Sequence, residues 1–364
     1  MPDFSFENLI KPSISRIEKY IPGESIDLNR NPKVIKLSSN ESPFSIPKKV
    51  YSKTQKLILS SNLYPDGASN ELKKQLSKTF KLNYKNIVCG NGSDDILSII
   101  AQTFSKEGSE VICSEYGFTY YPIIARAAGC KVVTAKSQEL KVSCDNIINC
   151  ITKRTRIIFI ANPNNPTGTY LPREKIVKLM QTISKNIIVV IDGAYVEYVE
   201  RLDYDKGFSL SEEFDNLILT RTFSKTYGLA ALRLGWCYTS KKVANIINKI
   251  KPPFNTTSIS QLMAIKALED QEYIEKVVKL NSEIKTWFEK ELNKLKIKIK
   301  ETEGNFSLIE TTVDGANKIA NHLASDGIII RRLDSYNMAN FIRVSIGTKE
   351  EMELTINSLK NFNE

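Results

Sequence analysis

The chain has 364 residues, 41% of them hydrophobic and 25% charged, enough to bury a sizeable core and to divide into two domains. Its net charge of +10 comes from lysines scattered along the whole sequence and interleaved with glutamate, with no zinc-finger or RNA-binding signature, so nucleic acid is not an expected partner. A single histidine, His322, rules out multi-histidine metal centres, and six cysteines without a C-x-x-C pair read as free thiols of a reducing, cytoplasmic compartment.

In chain order, residues 1–33 show little periodicity and are expected to form an arm packing on the smaller domain or on a partner subunit. Asp3 and Glu7 do not suit a signal peptide, and aliphatic runs such as 187–191 have strand length, too short for a bilayer. From about residue 85 to 240, short apolar runs alternate with helix-like segments. Strands are expected at 87–89, 110–113, 131–135, 156–161, 187–191, 217–220 and 234–238, with helices at 95–104, 120–128, 174–184 and 241–249. That alternation predicts an α/β fold with a mostly parallel central sheet in a large domain, residues 34–253. After Pro252-Pro253 the pattern changes to long helices near 260–268 and 272–295 and short strands near 306–309, 328–332 and 341–346. This reads as a smaller α+β domain, residues 254–364. His322, in a helix-like run, reads as structural.

In such parallel sheets a ligand lies outside the carboxyl ends of the strands, and the chemically suggestive segments fall there. Gly90-Asn91-Gly92-Ser93-Asp94 lies between a strand and a helix, where glycines let backbone approach a ligand and the helix start offers N–H groups to an anion. Ser93 and Asp94 serve equally as helix caps. Asn162-Pro163-Asn164-Asn165-Pro166-Thr167-Gly168 is a turn by composition, yet it places the Asn165 amide at a strand end. Asp192-Gly193-Ala194-Tyr195 closes an aliphatic strand. A carboxylate there is costly without a cationic partner, such as a protonated pyridine nitrogen; a helix N-cap is the competing reading.

Thr222 and Ser224 precede Lys225, and Arg233 follows eight residues later. An aldehyde cofactor carrying a phosphate needs that combination: an amine to condense with its carbonyl, and hydroxyls with a guanidinium to hold its phosphate.

Together these segments resemble the large domain of fold-type I, pyridoxal-phosphate-dependent aminotransferases, from about residue 35 to the C-terminus. The resemblance implies that Lys225 binds the cofactor aldehyde and moves the proton. It places Asp192 on the pyridine nitrogen and Asn165 and Tyr195 on the phenolic oxygen. Gly92, Ser93, Asp94, Thr222, Ser224 and Arg233 would surround the phosphate, and Tyr116 would stack on the ring. Within that superfamily the chain is most similar to the histidinol-phosphate aminotransferases. The matching segments are Lys36-Leu37-Ser38-Ser39-Asn40-Glu41-Ser42-Pro43, Tyr64-Pro65-Asp66-Gly67, Gly327-Ile328-Ile329-Ile330-Arg331-Arg332 and Ile342-Arg343-Val344-Ser345-Ile346-Gly347-Thr348.

The resemblance further implies a homodimer with composite sites, in which Tyr64 reaches the cofactor phosphate of the neighbouring subunit. Tyr20, Asn40, Arg331 and Arg343 would bind substrate. One departure stands out, because many relatives read Asp-Glu-Ala-Tyr where this chain has Gly193; aromatic amino acid aminotransferases share that subgroup. Arg343 suits either a carboxylate or a phosphate, while Tyr20 and Arg331 add donors that suit a phosphate. The expected reaction is therefore transamination between L-histidinol phosphate and 2-oxoglutarate. Transamination of phenylalanine or tyrosine is the alternative, and a decarboxylase or a cofactor-sensing regulator stands further off.

Overall fold

The computed structural model describes residues 9–21, 34–44 and 54–362. Of the expected arm, residues 1–8 and 22–33 lie outside the described residues.

Twelve strands occur among the described residues: β1 (Ile35–Leu37), β2 (Ile87–Gly90), β3 (Glu110–Ser114), β4 (Lys131–Ala135), β5 (Thr155–Ala161), β6 (Ile188–Asp192), β7 (Leu217–Thr222), β8 (Gly235–Tyr238), β9 (Lys298–Lys300), β10 (Phe306–Glu310), β11 (Ile328–Arg332) and β12 (Phe341–Ser345). Seven form one sheet in the order β2-β8-β7-β6-β5-β3-β4. Strands β4, β3, β5, β6 and β7 pair in parallel, and β8 runs antiparallel between β7 and β2. The mostly parallel α/β sheet expected from the sequence is what the chain builds.

Alternation along these strands explains why both sheet faces are covered. Ile158 and Ile160 of β5 and Val189 and Ile191 of β6 join the core beneath helices Asn70–Phe80 and Arg173–Thr182. Their neighbours Ile157, Phe159, Ile188 and Val190 face the opposite core, under helices Ser93–Phe104, Tyr120–Ala127 and Lys241–Ile250. A strand buried on both faces has to be apolar at every position, so the parallel strands read as continuous aliphatic runs.

The second sheet has the order β1-β11-β12-β10-β9 and packs against helices Gln271–Lys294, Val313–Ser325 and Lys349–Lys360 through Phe288, Leu292, Ile319, Leu323, Met352 and Ile356. One placement differs from expectation. Residues 35–37, assigned from sequence to the large domain, pair in parallel with β11 and so belong to this second sheet. Three residues carry too little pattern to reveal their partner. His322 Nε2 donates a hydrogen bond to the Ser358 carbonyl, 2.9 Å away, and its ring packs on Phe362. All six cysteines are free thiols.

The two sheets meet at the carboxyl ends of β5, β6 and β7. Gly168 has φ +70°, and a Cβ there would lie 2.3 Å from Thr302 Cβ, so only glycine lets this loop touch the start of the β9–β10 connection. The Glu303 N–H donates to the Gly168 carbonyl at that contact.

Candidate active site

A cavity of about 210 Å³ opens at those strand ends. At its floor, β6 ends on Asp192, only 6% exposed. Parallel pairing sets Asp192 opposite Thr220 of β7, whose hydroxyl donates to Oδ1 at 2.9 Å. The Tyr121 hydroxyl, from helix Tyr120–Ala127, donates to Oδ2 at 2.8 Å. Burial raises the Asp192 carboxyl above its usual range, and the two hydroxyls pull the other way. The carboxylate is thus aimed and held at a site that disfavours its charge, which prepares it for a cationic ligand.

Lys225 lies in the turn after β7. Its Nζ donates to the Ser39 carbonyl at 2.9 Å and sits 5.7 Å from the Tyr195 ring centre. Burial first, and the nearby Arg343 second, bring this amine down to about 8 from the ordinary lysine value. An unprotonated amine is what condensation with an aldehyde requires.

Around one end of the cavity, the Thr222 hydroxyl donates to Ser224 Oγ at 2.9 Å, and Arg233 reaches Ser224 Oγ and Asp94 Oδ2, each at 3.3 Å. Ser93 and Asp94 open helix Ser93–Phe104, so the unpaired N–H groups of its first turn point towards this end. Gly92, with φ +87°, precedes them; a Cβ there would come within 2.6 Å of Arg233 Nη2.

On the opposite side, Tyr195 is buried and its hydroxyl accepts from Asn40 Nδ2 at 3.0 Å. Burial pushes its phenol up to about 12, so the hydroxyl keeps its proton and has it left to donate. Asn40, with φ +53°, is fixed by Ser345, whose Oγ accepts from the Asn40 N–H at 2.8 Å and donates to Asn40 Oδ1 at 3.0 Å. Arg343 donates to Asn165 Oδ1 and, at 2.9 Å, to the Ser38 carbonyl. Because arginine only donates, that contact fixes the Asn165 amide with its oxygen on Arg343 and its NH₂ free for a ligand.

Antiparallel pairing of β11 and β12 sets Arg331 directly opposite Arg343, and both are buried cavity residues. Arg331 also donates to the Ile21 carbonyl at 2.8 Å, which ties the arm to the site. Tyr20 lines the cavity and meets Phe118 edge-on at 6.3 Å. Burial raises its phenol pKa.

Most of the residues expected from sequence therefore converge on this cavity. Tyr116 is not among the residues lining the cavity: it packs with Leu308, Leu333, Tyr336 and Phe341 and gives its carbonyl to Asn164 Nδ2 at 2.9 Å. Phe118, two residues on, is the aromatic that lines the cavity, because the turn at 114–117, closed by the Gly117 N–H on the Ser114 carbonyl, swings the chain between them. Tyr64 is 81% exposed and stacks on Phe254 with ring centres 4.5 Å apart, outside its own chain's cavity. The sequence reading missed Tyr121, Thr220, Ser39 and Tyr336. Tyr121 alone had a signal, a fourth aromatic after Tyr116, Phe118 and Tyr120, about one helical turn beyond Phe118.

The residues present fit a phosphorylated pyridine aldehyde. Hydroxyls, a guanidinium and a helix start suit the phosphate, Lys225 the carbonyl, and a buried carboxylate the ring nitrogen. Among the described residues no group of His, Cys, Asp and Glu side chains is arranged to hold a metal ion.

The family model for aminotransferase class I and II matches residues 32–359. The histidinol-phosphate aminotransferase of Pelagibacter ubique is 42% identical over 348 residues, covering 95% of this chain and 96% of that one. The enzyme of the same name from Paramagnetospirillum magneticum is 37% identical, with 97% and 98% covered. The crystal structure of histidinol-phosphate aminotransferase from Sinorhizobium meliloti in complex with pyridoxal-5'-phosphate superposes with a TM-score of 0.89 at 25% identity, covering 98% of this chain and 97% of that chain. An aspartate aminotransferase from Thermus thermophilus, 19% identical with a TM-score of 0.79 and 92% and 93% of the two chains covered, shares the fold. Since the match runs almost end to end in both sequence and structure, this chain belongs to the class I and II aminotransferases, in the histidinol-phosphate aminotransferase group.

Proposed function

We propose that the chain transfers the amino group of L-histidinol phosphate to 2-oxoglutarate, giving imidazole-acetol phosphate and L-glutamate, a step of histidine biosynthesis, with pyridoxal 5'-phosphate as cofactor. The observation that carries the reading is the pair of buried guanidiniums, Arg331 and Arg343, side by side in the cavity that also holds Lys225 and Asp192. Two guanidiniums with the Tyr20 hydroxyl near them suit a phosphate ester better than a single carboxylate. The shared name of the relatives points the same way and favours this donor over phenylalanine or tyrosine.

Bound pyridoxal phosphate supplies an electron-withdrawing pyridinium conjugated to the carbon that carries the amine. Asp192 would hold the ring nitrogen, oriented by Tyr121 and Thr220, and the Asn165 NH₂ and the Tyr195 hydroxyl would donate to the phenolic oxygen. Phe118 would cover one ring face. Ser93, Asp94, Thr222, Ser224 and Arg233 would hold the cofactor phosphate, with Arg233 passing from Asp94 to the added charge. Lys225 Nζ would hold the cofactor's carbonyl carbon and, as a positioned base, would carry the proton at the substrate carbon. Arg343 and Arg331, with Tyr20 and Asn40, bind the substrate's anionic end.

The test is a half-reaction followed by absorbance, with the cofactor-loaded protein mixed separately with histidinol phosphate and with phenylalanine. Conversion to the pyridoxamine form is expected to be fast with the first and slow with the second. The reverse order would make this an aromatic aminotransferase.

We infer further that the chain works as a homodimer with composite sites. Support comes from Tyr64, exposed on its own chain beside exposed Leu59 and Leu63, and from the cavity that it does not reach. Tyr64→Phe is expected to weaken pyridoxal phosphate binding by about ten- to hundredfold, the loss of one hydrogen bond to a charged group. Unchanged affinity in a cofactor titration would remove that argument. A cytoplasmic setting is supported by six free thiols, and no helix among the described residues is long and apolar enough to cross a membrane. The division at 253/254, with β1 added to the smaller unit, is the domain partition that best fits the two sheets.

A further inference from the structure

Arg221 takes no part in the scheme above, yet it is a guanidinium only 3% exposed, one residue before the end of β7. Its Nη1 donates to the Thr220 carbonyl at 2.7 Å and its Nη2 to the Lys206 carbonyl, while Nε has no partner. The same Thr220 carbonyl accepts from the Gly193 N–H at 3.0 Å, and the Thr220 hydroxyl donates to Asp192. A Cβ on Gly193 would lie 2.2 Å from Arg221 Nη1, far inside contact distance. The guanidinium, together with Val196 Cγ1 at 2.6 Å, therefore occupies the space that any side chain at 193 would need. The glycine of Asp192-Gly193-Ala194-Tyr195 is thus required by a neighbour rather than by its own backbone.

A guanidinium keeps its proton, so burying one with an unpaired N–H is costly unless its charge is used. The groups that interact with this charge are the Tyr204 phenol, half-buried Glu197, Asp192 and the Tyr227 phenol. Asp192 alone of these faces the cavity.

We propose that Arg221 is a positioning residue for Asp192: from the protein side it supplies the positive charge that keeps this carboxylate anionic and, through Thr220, the anchor that aims it into the cavity. The inference rests on reading the cavity as a pyridoxal phosphate site. Gly193 then serves as the clearance that lets the cation approach.

The test titrates apoprotein with pyridoxal phosphate, and measures kcat and KM for histidinol phosphate, in Arg221→Met, Arg221→Lys, Gly193→Ala and the double variant Gly193→Ala/Arg221→Met. Arg221→Met should raise the cofactor Kd about tenfold or more and lower kcat, with the substrate KM unchanged, since one neighbouring charge shifts such an equilibrium by at least about tenfold. Arg221→Lys should recover most of the loss. Gly193→Ala should weaken cofactor binding in the wild-type background and cost clearly less beside Arg221→Met. A lysine variant as impaired as the methionine one, or additive losses in the double variant, would overturn the proposal. If Arg221→Met does not fold, Gly193→Ala decides, and an unchanged cofactor Kd there overturns it. Absence of pyridoxal phosphate binding by the wild type would instead overturn the reading of the cavity, so the two failures are distinguishable.

Discussion

Replacing Lys225 by alanine is expected to lower transamination by about 10⁴-fold or more, while the protein stays folded and still binds pyridoxal phosphate non-covalently. The size follows from two losses at one atom, the covalent attachment and a positioned base, and a base alone contributes about 10²- to 10⁴-fold. Retention of binding follows from the rest of the site. The phosphate end is built from Thr222, Ser224, Arg233 and the helix start at Ser93, and the carboxylate from Asp192, none of which depends on the lysine amine. Steady-state turnover, together with borohydride reduction of the loaded protein, checks both halves: wild type should carry cofactor permanently on residue 225 and the variant should not. Residual turnover near wild type would remove Lys225 from the mechanism.

The environment of this amine gives the prediction a pH dependence. With its value brought down to about 8, mainly by burial, the unprotonated fraction rises through pH 8 and is nearly complete by about pH 9. The rate at which apoprotein captures pyridoxal phosphate should therefore rise up to that range and then level off. A lysine in water would keep gaining beyond pH 10.

What the sequence revealed, and what it hid, divides along a physical line. The central strands were legible because burial on both faces forces every residue of segments such as Ile188–Asp192 to be apolar, apart from the one polar residue at the ligand end. Lys225 and its hydroxyls were legible because their chemistry is carried within one short segment. The contacts that depend on strand register were not. That Thr220 stands beside Asp192, and Arg331 beside Arg343, follows from pairings between residues 28 and 12 positions apart in the chain, which no local pattern encodes. The difference between Tyr116 and Phe118 has a similar origin. Two aromatics within one turn are equivalent on paper, and only the path of that turn decides which enters the cavity. The short strand at 35–37 was not legible because its position is fixed by a partner almost three hundred residues away.

The second large effect is expected at Arg343, where function and stability should move in opposite directions. Arg343 is 5% exposed, its hydrogen bonds go to the neutral Ser38 and Asn165 oxygens, and its Nε has no partner. Among the described residues no carboxylate forms an ion pair with it. A buried cation so poorly offset costs the apoprotein free energy, and the anionic substrate offsets it. Arg343→Gln should therefore lower kcat/KM for histidinol phosphate by about 10²- to 10³-fold, the roughly 3–4 kcal/mol of a desolvated, charge-assisted pair. The same change should leave the apoprotein Tm unchanged or raised. Arg343→Lys keeps the charge but loses the planar fork, and should recover only part of the activity. Thermal unfolding of the apoprotein beside substrate titration of the loaded enzyme separates the possibilities. A variant that melts earlier but turns over normally would make Arg343 a structural link between Ser38 and Asn165. One that melts as late as wild type or later, yet loses its substrate, would mark it as a group whose burial is sustained by the ligand.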